Sequence, residues 1–317
     1  MTSIAGEKVV ALSGGVGGAK LALGLSQLMP PEDLTIIVNT GDDFQHLGLS
    51  ISPDLDTLLY TLSGLADPDK GWGRRDETWT FMQALTELGG DAWFLLGDGD
   101  LALHVERSRR LAAGETLTQV TYDLSRQVGI KPAIVPMTDD TVATRVRSDA
   151  GWLDFQEYFV RLRCEPAVRE ITYQGAPTAR LADEAHAALT DKNLRAIVIC
   201  PSNPWLSVGP LLALPGMRDL LADCNAPVIA VSPLIGGQAV KGPTAKLMAE
   251  LNLDVAAAEV AHYYDGLIDG FVVDTVDADT LLPAGMQRSV APIMMTSLED
   301  KIRVARAVLD FADILRG

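Results

Sequence analysis

Short apolar runs rich in Val and Ile recur along the chain, and within each run the apolar residues are nearly continuous instead of alternating with polar ones. Such runs are typical of strands covered on both faces of a parallel sheet, with helices in the segments between them. The pattern therefore predicts an α/β protein with a doubly wound, mainly parallel sheet. The predicted strands are residues 9–13, 34–39, 194–200, 227–232, 271–274 and 292–295.

Helical spacing of apolar residues follows the first predicted strand and recurs at the end of the chain. Residues 20–28 predict a first crossover helix, which ends near the Met-Pro-Pro sequence at 29–31. Near the end of the chain, Thr296 followed by Glu299 predicts a capping box at the start of a last amphipathic helix.

The strand signal weakens between residues 93 and 190, where charged stretches at 101–113 and 117–128 predict helices. No linker rich in Gly and Ser divides the chain into two halves. We therefore expect a Rossmann-like core formed by residues 1–92 and 191–317, with residues 93–190 as a largely helical inserted cap.

The chain is strongly acidic, since 26 Lys and Arg against 42 Asp and Glu among 317 residues give a formal net charge of −16. This charge argues against nucleic acid as a partner, because binding to a phosphate backbone needs clustered cations. No run approaches the ~18 apolar residues of a membrane span, and the first residues lack the pattern of a signal peptide. We expect a soluble cytoplasmic protein with no membrane partner.

A glycine-rich turn follows the first predicted strand, with the sequence GGVGGAK at residues 14–20. Glycine allows the backbone to approach a ligand closely, and the helix that follows offers unpaired N–H groups and the positive end of its dipole. The turn therefore predicts a phosphate site, with a tight turn that binds nothing as the alternative. It is neither a Walker loop nor a complete GxGxxG fingerprint, because Lys20 stands where the third glycine would be.

Acidic turns follow the second predicted strand, at the sequences NTGDD (39–43) and SPDLDT (52–57). In a doubly wound sheet both strand ends lie at the same edge, so these carboxylates are expected beside the glycine turn. Carboxylates that face a phosphate repel it unless a cation lies between them, and Mg²⁺ prefers such oxygen ligands. The sequence therefore predicts a magnesium site, although Asp54 or Asp56 alternatively caps the helix that begins near residue 57.

Two later strand ends carry small polar residues and glycines. One continues into Ser202 and Asn203, and the other into a glycine pair at 236–237 with Lys241 just beyond. Such groups suit the recognition of phosphate, ribose or a base, and Lys241 is a candidate cation for a phosphate.

Several blocks occur together in the order found in one known family. They are GGVGGAK, NTGDD and SPDLDT, followed by GWG at 71–73, GD at 97–98, PMTDD at 136–140, FQEY at 155–158, PSNPWLSVGP at 201–210 and SPLIGG at 232–237. With these blocks the chain resembles the CofD family, called FbiA in actinobacteria, which contains the 2-phospho-L-lactate transferases of coenzyme F-420 biosynthesis. The resemblance spans nearly the whole chain.

The resemblance implies a magnesium-dependent transferase that acts on the deazaflavin Fo. A hydroxyl of Fo attacks the acid-linked phosphorus of a guanosine diphosphate-activated donor, and GMP is released. The donor carries lactate, enolpyruvate or glycerate, which gives coenzyme F-420-0, its dehydro form or a glycerate analogue. The sequence leaves the choice among these three acids open, and the family suggests a homodimer.

The resemblance also assigns residues to this reaction. Asp56 contacts Fo as an orienting group or as a base, while Asp42 and Asp43 are the metal candidates, with Asp43 counted among the catalytic residues. Trp72 is a candidate for stacking on the deazaflavin, with a purely structural tryptophan as the alternative. The candidates for binding the donor are Gly15, Gly17, Gly18, Ser202, Asn203 and Lys241.

One departure from the family pattern concerns the block at 97–100. The family usually has a basic residue between the two aspartates, and that residue contacts Fo, whereas this chain has Gly99 there. Arg74, Arg75 and Arg107 are candidate substitutes. His104 is a further candidate for a hydrogen bond to phosphate, with a structural histidine as the alternative.

Two other classes of protein remain as alternatives. The first is a non-catalytic, sugar-nucleotide-binding regulatory protein of the related gluconeogenesis-factor family, which shares the glycine turn. The second is an NAD-dependent dehydrogenase, which is disfavoured because Asn39 stands where an acidic residue would bind the ribose.

Overall fold

The computed structural model describes residues 7–68, 73–149 and 151–317. A central sheet of seven strands runs through this part of the chain, and every neighbouring pair in it is parallel. The strands are β1 (Lys8–Ser13), β2 (Leu34–Val38), β3 (Phe44–His46), β4 (Leu49–Ile51), β5 (Ala133–Pro136), β6 (Ala143–Ser148), β7 (Gly151–Asp154), β8 (Val168–Gln174), β9 (Leu194–Ile199), β10 (Val228–Val231), β11 (Leu234–Ile235), β12 (Gln238–Ala239), β13 (Gly270–Val273) and β14 (Gln287–Val290).

The order of strands in the central sheet is β14-β13-β10-β9-β1-β2-β5. The chain moves outward from β1 through β2 to β5, and then returns to β9 and moves outward in the opposite direction. The strand order therefore reverses between β1 and β9, and the carboxyl edge at such a reversal is where open α/β sheets bind ligands. Three small antiparallel sheets pair β3 with β4, β11 with β12, and β6 with both β7 and β8.

Helices cover both faces of the central sheet. The helices are α1 (Gly15–Ser26), α2 (Pro53–Ser63), α3 (Thr80–Glu87), α4 (Asp98–Ala112), α5 (Leu117–Gln127), α6 (Asp183–Leu189), α7 (Gly209–Leu212), α8 (Met217–Ala222), α9 (Thr244–Glu250), α10 (Ala257–Tyr263) and α11 (Leu298–Arg316). Alternate residues of β1 point to opposite faces, so that Val9 and Ala11 pack in one core with α1, α2 and α11, whereas Val10 and Leu12 pack in the other with α6, α8 and α10. Short 3₁₀ turns lie at Pro31–Asp33, Ala176–Thr178 and Thr275–Asp277, and π-helical turns at Glu157–Arg161 and Pro204–Val208.

The predicted α/β class and the mainly parallel, Rossmann-like sheet are confirmed, and five of the six predicted strands lie in it. The sixth prediction, at residues 292–295, is wrong. That stretch has no regular secondary structure, and it is held at the end of β13 by the Ile293 N–H, which donates to Asp274 Oδ2 at 2.9 Å. The edge strand is instead β14, whose largely exposed residues leave no apolar run to detect.

Two helix starts differ from those expected. Helix α1 begins at Gly15, five residues before the predicted start, so the glycine turn is itself the first turn of the helix. The capping box of α11 uses Ser297 and Asp300, one residue later than the predicted pair of Thr296 and Glu299.

The interval 93–190 is mixed in structure. Helices α4 and α5 lie in its first part, but β5 extends the central sheet, and β6, β7 and β8 form an antiparallel sheet. The largely helical character expected there is therefore corrected, because β6 alternates buried and partly exposed residues and thus lacks the continuous apolar run of a fully buried strand. The division into a core at 1–92 and 191–317 and a separate unit at 93–190 stays a prediction.

Candidate functional site

The glycine turn and the second acidic turn are in direct contact at the carboxyl edge of the sheet. Gly15, with φ +64°, begins α1, and its N–H donates to Asp54 Oδ1 at 2.6 Å. Asp54 lies in the first turn of α2, so its carboxylate occupies the positive end of the neighbouring helix α1. An anion of the protein itself thus sits where the sequence predicts a phosphate.

The remaining glycines of the turn are packed tightly against the strand end after β9. A Cβ at Gly17 would collide with the carbonyl oxygen of Pro201, and one at Gly18 would collide with the Ser13 hydroxyl. Ser202 Oγ donates to the Gly14 carbonyl at 2.6 Å, which ties the two turns together. The structure therefore brings Gly15, Gly17, Gly18 and Ser202 to one place.

Asn39, which ends β2, holds two of the aspartates in position. Its Nδ2 donates to Asp54 Oδ2 at 3.0 Å and faces Asp42 Oδ1 at 3.3 Å, while its Oδ1 accepts from the Gly41 N–H at 2.9 Å. Gln156 of the FQEY block adds a hydrogen bond from Nε2 to the Asp42 carbonyl at 3.3 Å. The acidic turns are thus built around neutral amides, which can stabilise carboxylates without cancelling their charge.

Burial and mutual repulsion disfavour ionisation of this group. Burial, with the nearby charges of Asp54 and Asp43, raises the pKa of Asp42 well above its ordinary value. Burial likewise raises the pKa of Asp43 well above its ordinary value, against the hydrogen bond from Ser52 and the charge of Arg107. The pKa of Asp54 is raised to about 6, again chiefly by burial. Such carboxylates gain from any cation that enters the site.

Asp43 has one carboxylate oxygen that is not engaged in a hydrogen bond from a described residue, and we call it the open oxygen. Ser52 donates to Asp43 Oδ2 at 2.6 Å, whereas Asp43 Oδ1 is buried without a hydrogen-bond partner among the described residues. Within 7–68, 73–149 and 151–317, no group of three or more His, Cys, Asp or Glu side chains is arranged to hold a metal ion. Mg²⁺ commonly takes only one or two carboxylates and completes its shell with water and substrate phosphates, so Asp42 and Asp43 fit that ion.

Asp56 has a different environment from that of Asp54, although only Leu55 separates them. Both of its oxygens accept from the guanidinium of Arg107, at 3.2 Å from Nη1 to Oδ2 and through a short contact from Nη2 to Oδ1. Arg107 Nη1 also lies 3.3 Å from His104 Nδ1, and His104 Nε2 lies 3.2 Å from Asp100 Oδ2. Tyr60 completes the group by donating to Asp100 Oδ1 at 2.5 Å.

Asn203 follows the Pro201 and Ser202 pair that packs on the glycine turn, and Lys241, whose charge acts on α1, lies on another loop. Asn203 Oδ1 accepts from the N–H groups of Trp205 and Leu206, and its Nδ2 donates to Thr244 Oγ1 at 3.1 Å. Lys241 is exposed on its loop, partial desolvation lowers its pKa, and its charge acts on Lys20 of α1. Asn203 therefore shapes the π turn that starts the PSNPWLSVGP block, and Lys241 contributes positive charge near α1.

The candidates for the acceptor side are placed less uniformly. Trp72 lies outside the described residues. At Gly99 the guanidinium of Arg74 occupies the space that a Cβ would take, so Arg74 stands next to the position where the family has its basic residue. Arg107 is the candidate that reaches Asp56, whereas Arg75 lies 3.7 Å from Asp76 in an exposed pair.

The sequence interpretation assigned no role to Asn39, Gln156, Tyr60 or Asp100. Asp100 was partly recognisable. Asp100, His104 and Arg107 have the i, i+4, i+7 spacing of one helix face, and the rest of this charged helix is at least partly exposed. A polar row on the buried face of a helix was the available signal.

A concave region lies at the amino ends of the central strands, opposite the edge that carries the residues described above. It is a cleft of about 710 Å³ whose lining includes Leu194, Asp219 and Cys224, and it contains none of the predicted site residues. None of the helices in the described ranges is long and apolar enough to span a bilayer.

Solved structures with the same fold cover almost the whole chain. A Bacillus halodurans protein described as a member of the UPF0052 family superposes with a TM-score of 0.61 at 14% sequence identity, over 96% of this chain and 99% of that one. At this identity the likeness shows the fold alone.

Comparison of sequences gives closer relatives. The chain is 40% identical to a phosphoenolpyruvate transferase of Streptomyces coelicolor, over 98% of this chain and 99% of that protein. It is 39% identical to a 2-phospho-L-lactate transferase of Methanosarcina mazei, over 95% and 99% of the two chains. A family model described as 2-phospho-L-lactate transferase CofD matches residues 9–304, and the chain therefore belongs to the CofD family.

Proposed function

We propose that this protein transfers a phospho-acid unit from a guanosine diphosphate-activated donor to a hydroxyl of the deazaflavin Fo. The acid is enolpyruvate, lactate or glycerate. The hydroxyl oxygen forms a bond to the acid-linked phosphorus, the bond from that phosphorus to the bridging oxygen breaks, and GMP leaves with the electron pair. The hydroxyl proton is released, and the product is coenzyme F-420-0, its dehydro form or a glycerate analogue.

The observation that carries this proposal is the match along the whole chain to relatives named for such transfers. Relatives named phosphoenolpyruvate transferase and 2-phospho-L-lactate transferase are almost equally similar, at 40% and 39% identity. Sequence similarity therefore does not select one of the acids, and a transfer assay has to determine which donor is used.

The geometry supports a donor site at the reversal between β1 and β9. Gly15, Gly17, Gly18 and Ser202 line the turn at the start of α1, and Lys241 contributes a cation from another loop. Because Asp54 already accepts the Gly15 N–H, a diphosphate at this turn needs a cation between it and the carboxylates.

Mg²⁺ is the cation that these residues would hold, through Asp42 and Asp43. Bound there, it would neutralise phosphate charge and polarise a phosphoryl oxygen, which is its usual contribution to phosphoryl transfer. Asn39 and Ser52 keep the two carboxylates oriented, and the buried Asp43 Oδ1 has no hydrogen bond from a described residue to break.

Asp56 lies on the acceptor side of this arrangement, in the same first turn of α2 as Asp54. Its burial and its position next to the acidic turns suit a carboxylate that accepts a hydrogen bond from the attacking hydroxyl. In such a site, orientation and electrostatic stabilisation supply most of the catalysis.

The test is a transfer assay with purified protein, Mg²⁺, Fo and the three guanosine diphosphate-linked acids in competition, read by mass spectrometry. We expect GMP together with Fo increased in mass by one phospho-acid unit. Binding of a nucleotide without any transfer would favour the regulatory alternative, and no product from any donor would refute the proposal. We also propose a homodimer, which sedimentation analysis measures on the same sample.

A further inference from the structure

A ring of buried polar side chains joins helices α2 and α4 next to the proposed acceptor site. Asp56 and Tyr60 are four residues apart on α2, and Asp100, His104 and Arg107 share one face of α4. The contacts run from Asp56 to Arg107, on to His104 and Asp100, and back to α2 through Tyr60.

Arg107 is the centre of this ring. It is 1% exposed, and although burial opposes its charge, the neighbouring Asp56 raises its pKa above the ordinary value. Its Nη1 also donates to the Ser50 carbonyl at 3.3 Å, so the guanidinium plane is held from two directions. A bidentate guanidinium fixes both the position and the rotation of the carboxylate that it binds.

His104 supports Arg107 from the outer side of the ring. It lies between Arg107 and Asp100, with Nδ1 3.3 Å from Arg107 Nη1 and Nε2 3.2 Å from Asp100 Oδ2. Burial opposes ionisation of Asp100, but His104, Tyr60 and Arg107 together lower its pKa. The outer half of the ring therefore places an imidazole and a carboxylate behind Arg107.

We propose that Arg107 is a positioning residue that fixes Asp56 as a hydrogen-bond acceptor for the attacking hydroxyl, and that His104 and Asp100 hold Arg107 in place. This inference rests on the proposed function and assigns Asp56 to the orientation of that hydroxyl. A carboxylate that accepts two hydrogen bonds from a guanidinium is fixed in position, and it keeps lone pairs that can orient a hydroxyl.

Stability alone gives little reason for such a ring. A buried ion pair contributes no more to stability than well-packed apolar residues of similar volume, because desolvation offsets the Coulomb attraction. Arg107 also acts electrostatically on Asp43, the proposed metal ligand with the open oxygen. A single guanidinium thus relates the acceptor side of the site to the metal side.

The test compares Arg107→Met and Arg107→Lys with a matched control on the same helix. Arg110 also pairs with two carboxylates, Glu115 and Asp123, but on the side of α4 that faces α5, so Arg110→Met removes a similar ion pair away from the site. Steady-state kinetics with Fo and donor varied separately, and thermal unfolding of each variant, are the measurements.

We expect Arg107→Met to lower kcat/KM for Fo by about 10²-fold, the loss typical of a misplaced orienting group, while KM for the donor changes less than about twofold. Arg107→Lys keeps the charge without the fork and should recover about tenfold of that loss. Arg110→Met should match the wild type in both kinetic constants. Equal losses for Fo and donor, or no loss in folded Arg107→Met, would overturn the inference.

A binding measurement separates this inference from the proposed reaction. If the wild type transfers no acid from any donor, the proposed function fails, and titration of Fo fluorescence still tests Arg107. Affinity for Fo that falls at least about tenfold in Arg107→Met and is unchanged in Arg110→Met supports the role of Arg107 at the acceptor site. Equal affinity in wild type and both variants refutes it.

Discussion

Asp54 and Asp56 are two residues apart in the first turn of one helix, yet they lie in opposite electrostatic environments. Asp54 faces the glycine turn and the other carboxylates, and among the described residues its donors are the Gly15 N–H and the Asn39 amide. Asp56 faces α4 and binds a buried guanidinium with both oxygens. We call Asp42, Asp43 and Asp54 the first group and Asp56 with Arg107 the second group. A bound cation would stabilise the carboxylates of the first group, whereas the carboxylate of the second group already has the guanidinium as its counter-charge.

The comparison teaches that a run of acidic residues is not one functional unit. Repulsion and burial in the first group store unfavourable energy that a divalent ion and a phosphorylated ligand would release. The ion pair in the second group gives a fixed geometry that needs no ligand. We therefore assign metal and donor to the first group and orientation of the acceptor to the second.

The largest expected effect comes from removing the proposed cation or its proposed ligand Asp43. Treatment with EDTA should abolish transfer, and Asp43→Asn should lower kcat by about 10³-fold, because each removes charge stabilisation from the transition state. Product formation measured by mass spectrometry is the readout, and Asp265→Asn on the exposed surface is the control. Full turnover in EDTA would contradict the assignment of the first group.

The second prediction concerns the stability of the paired group. Asp56→Asn should lower the free energy of unfolding by about 3–5 kcal/mol, because it leaves a buried guanidinium without its counter-charge. Asp54→Asn at pH 8 should cost much less, since it removes a carboxylate that repels its neighbours. Urea denaturation of both variants at pH 8 measures this difference. Similar losses of stability in the two variants would show that the environments are not distinct.

The third prediction uses the pH dependence of Asp54. Its pKa in the folded state, about 6, is raised above the ordinary value of 3.8, so the folded protein binds this proton more tightly than the unfolded chain does. Stability from this group is therefore present below about pH 4 and is lost as the pH rises through 6, by roughly 3 kcal/mol without metal.

Urea denaturation from pH 4 to 8 without Mg²⁺ tests the third prediction when wild type and Asp54→Asn are compared. The loss of stability across this interval should be smaller in the variant, which has no carboxyl group at that position to titrate. Parallel curves for the two proteins would contradict the raised pKa.

The smallest expected effect concerns Lys241, whose charge acts on Lys20 of α1 from another loop. Lys241→Ala should raise KM for the donor about tenfold, the loss expected for one charged hydrogen bond to phosphate, and should leave KM for Fo unchanged. Initial rates with each substrate varied separately give both constants. A change in KM for Fo alone would place Lys241 on the acceptor side and break the comparison.

Much of the fold could be predicted from local patterns. Five buried strands were recognisable because a strand covered on both faces is an uninterrupted apolar run. β5 was missed, since it ends in Pro136, and a proline in an apolar run argues against a strand inside a sheet. β14 was missed because an exposed edge strand needs no apolar run.

The site was predictable in its components but not in its pairings. Glycines and aspartates at strand ends indicated a shared edge, because parallel strands point their carboxyl ends the same way. The partner of Asp56 was not predictable, since Arg107 lies 51 positions away on another helix and three arginines were equal candidates by sequence. The hydrogen bond from the Gly15 N–H to Asp54 was not predictable either, since these residues are also far apart in the chain.

The sequence by itself determined the class of fold, the edge at which the chemistry lies and the kinds of side chain present there, because these follow from periodicity, strand ends and residue type. Only the tertiary structure decided that Asp54 joins a repelling cluster while Asp56 joins a guanidinium. Electrostatic environment depends on distances of a few ångströms between residues far apart in the chain, and folding alone sets those distances.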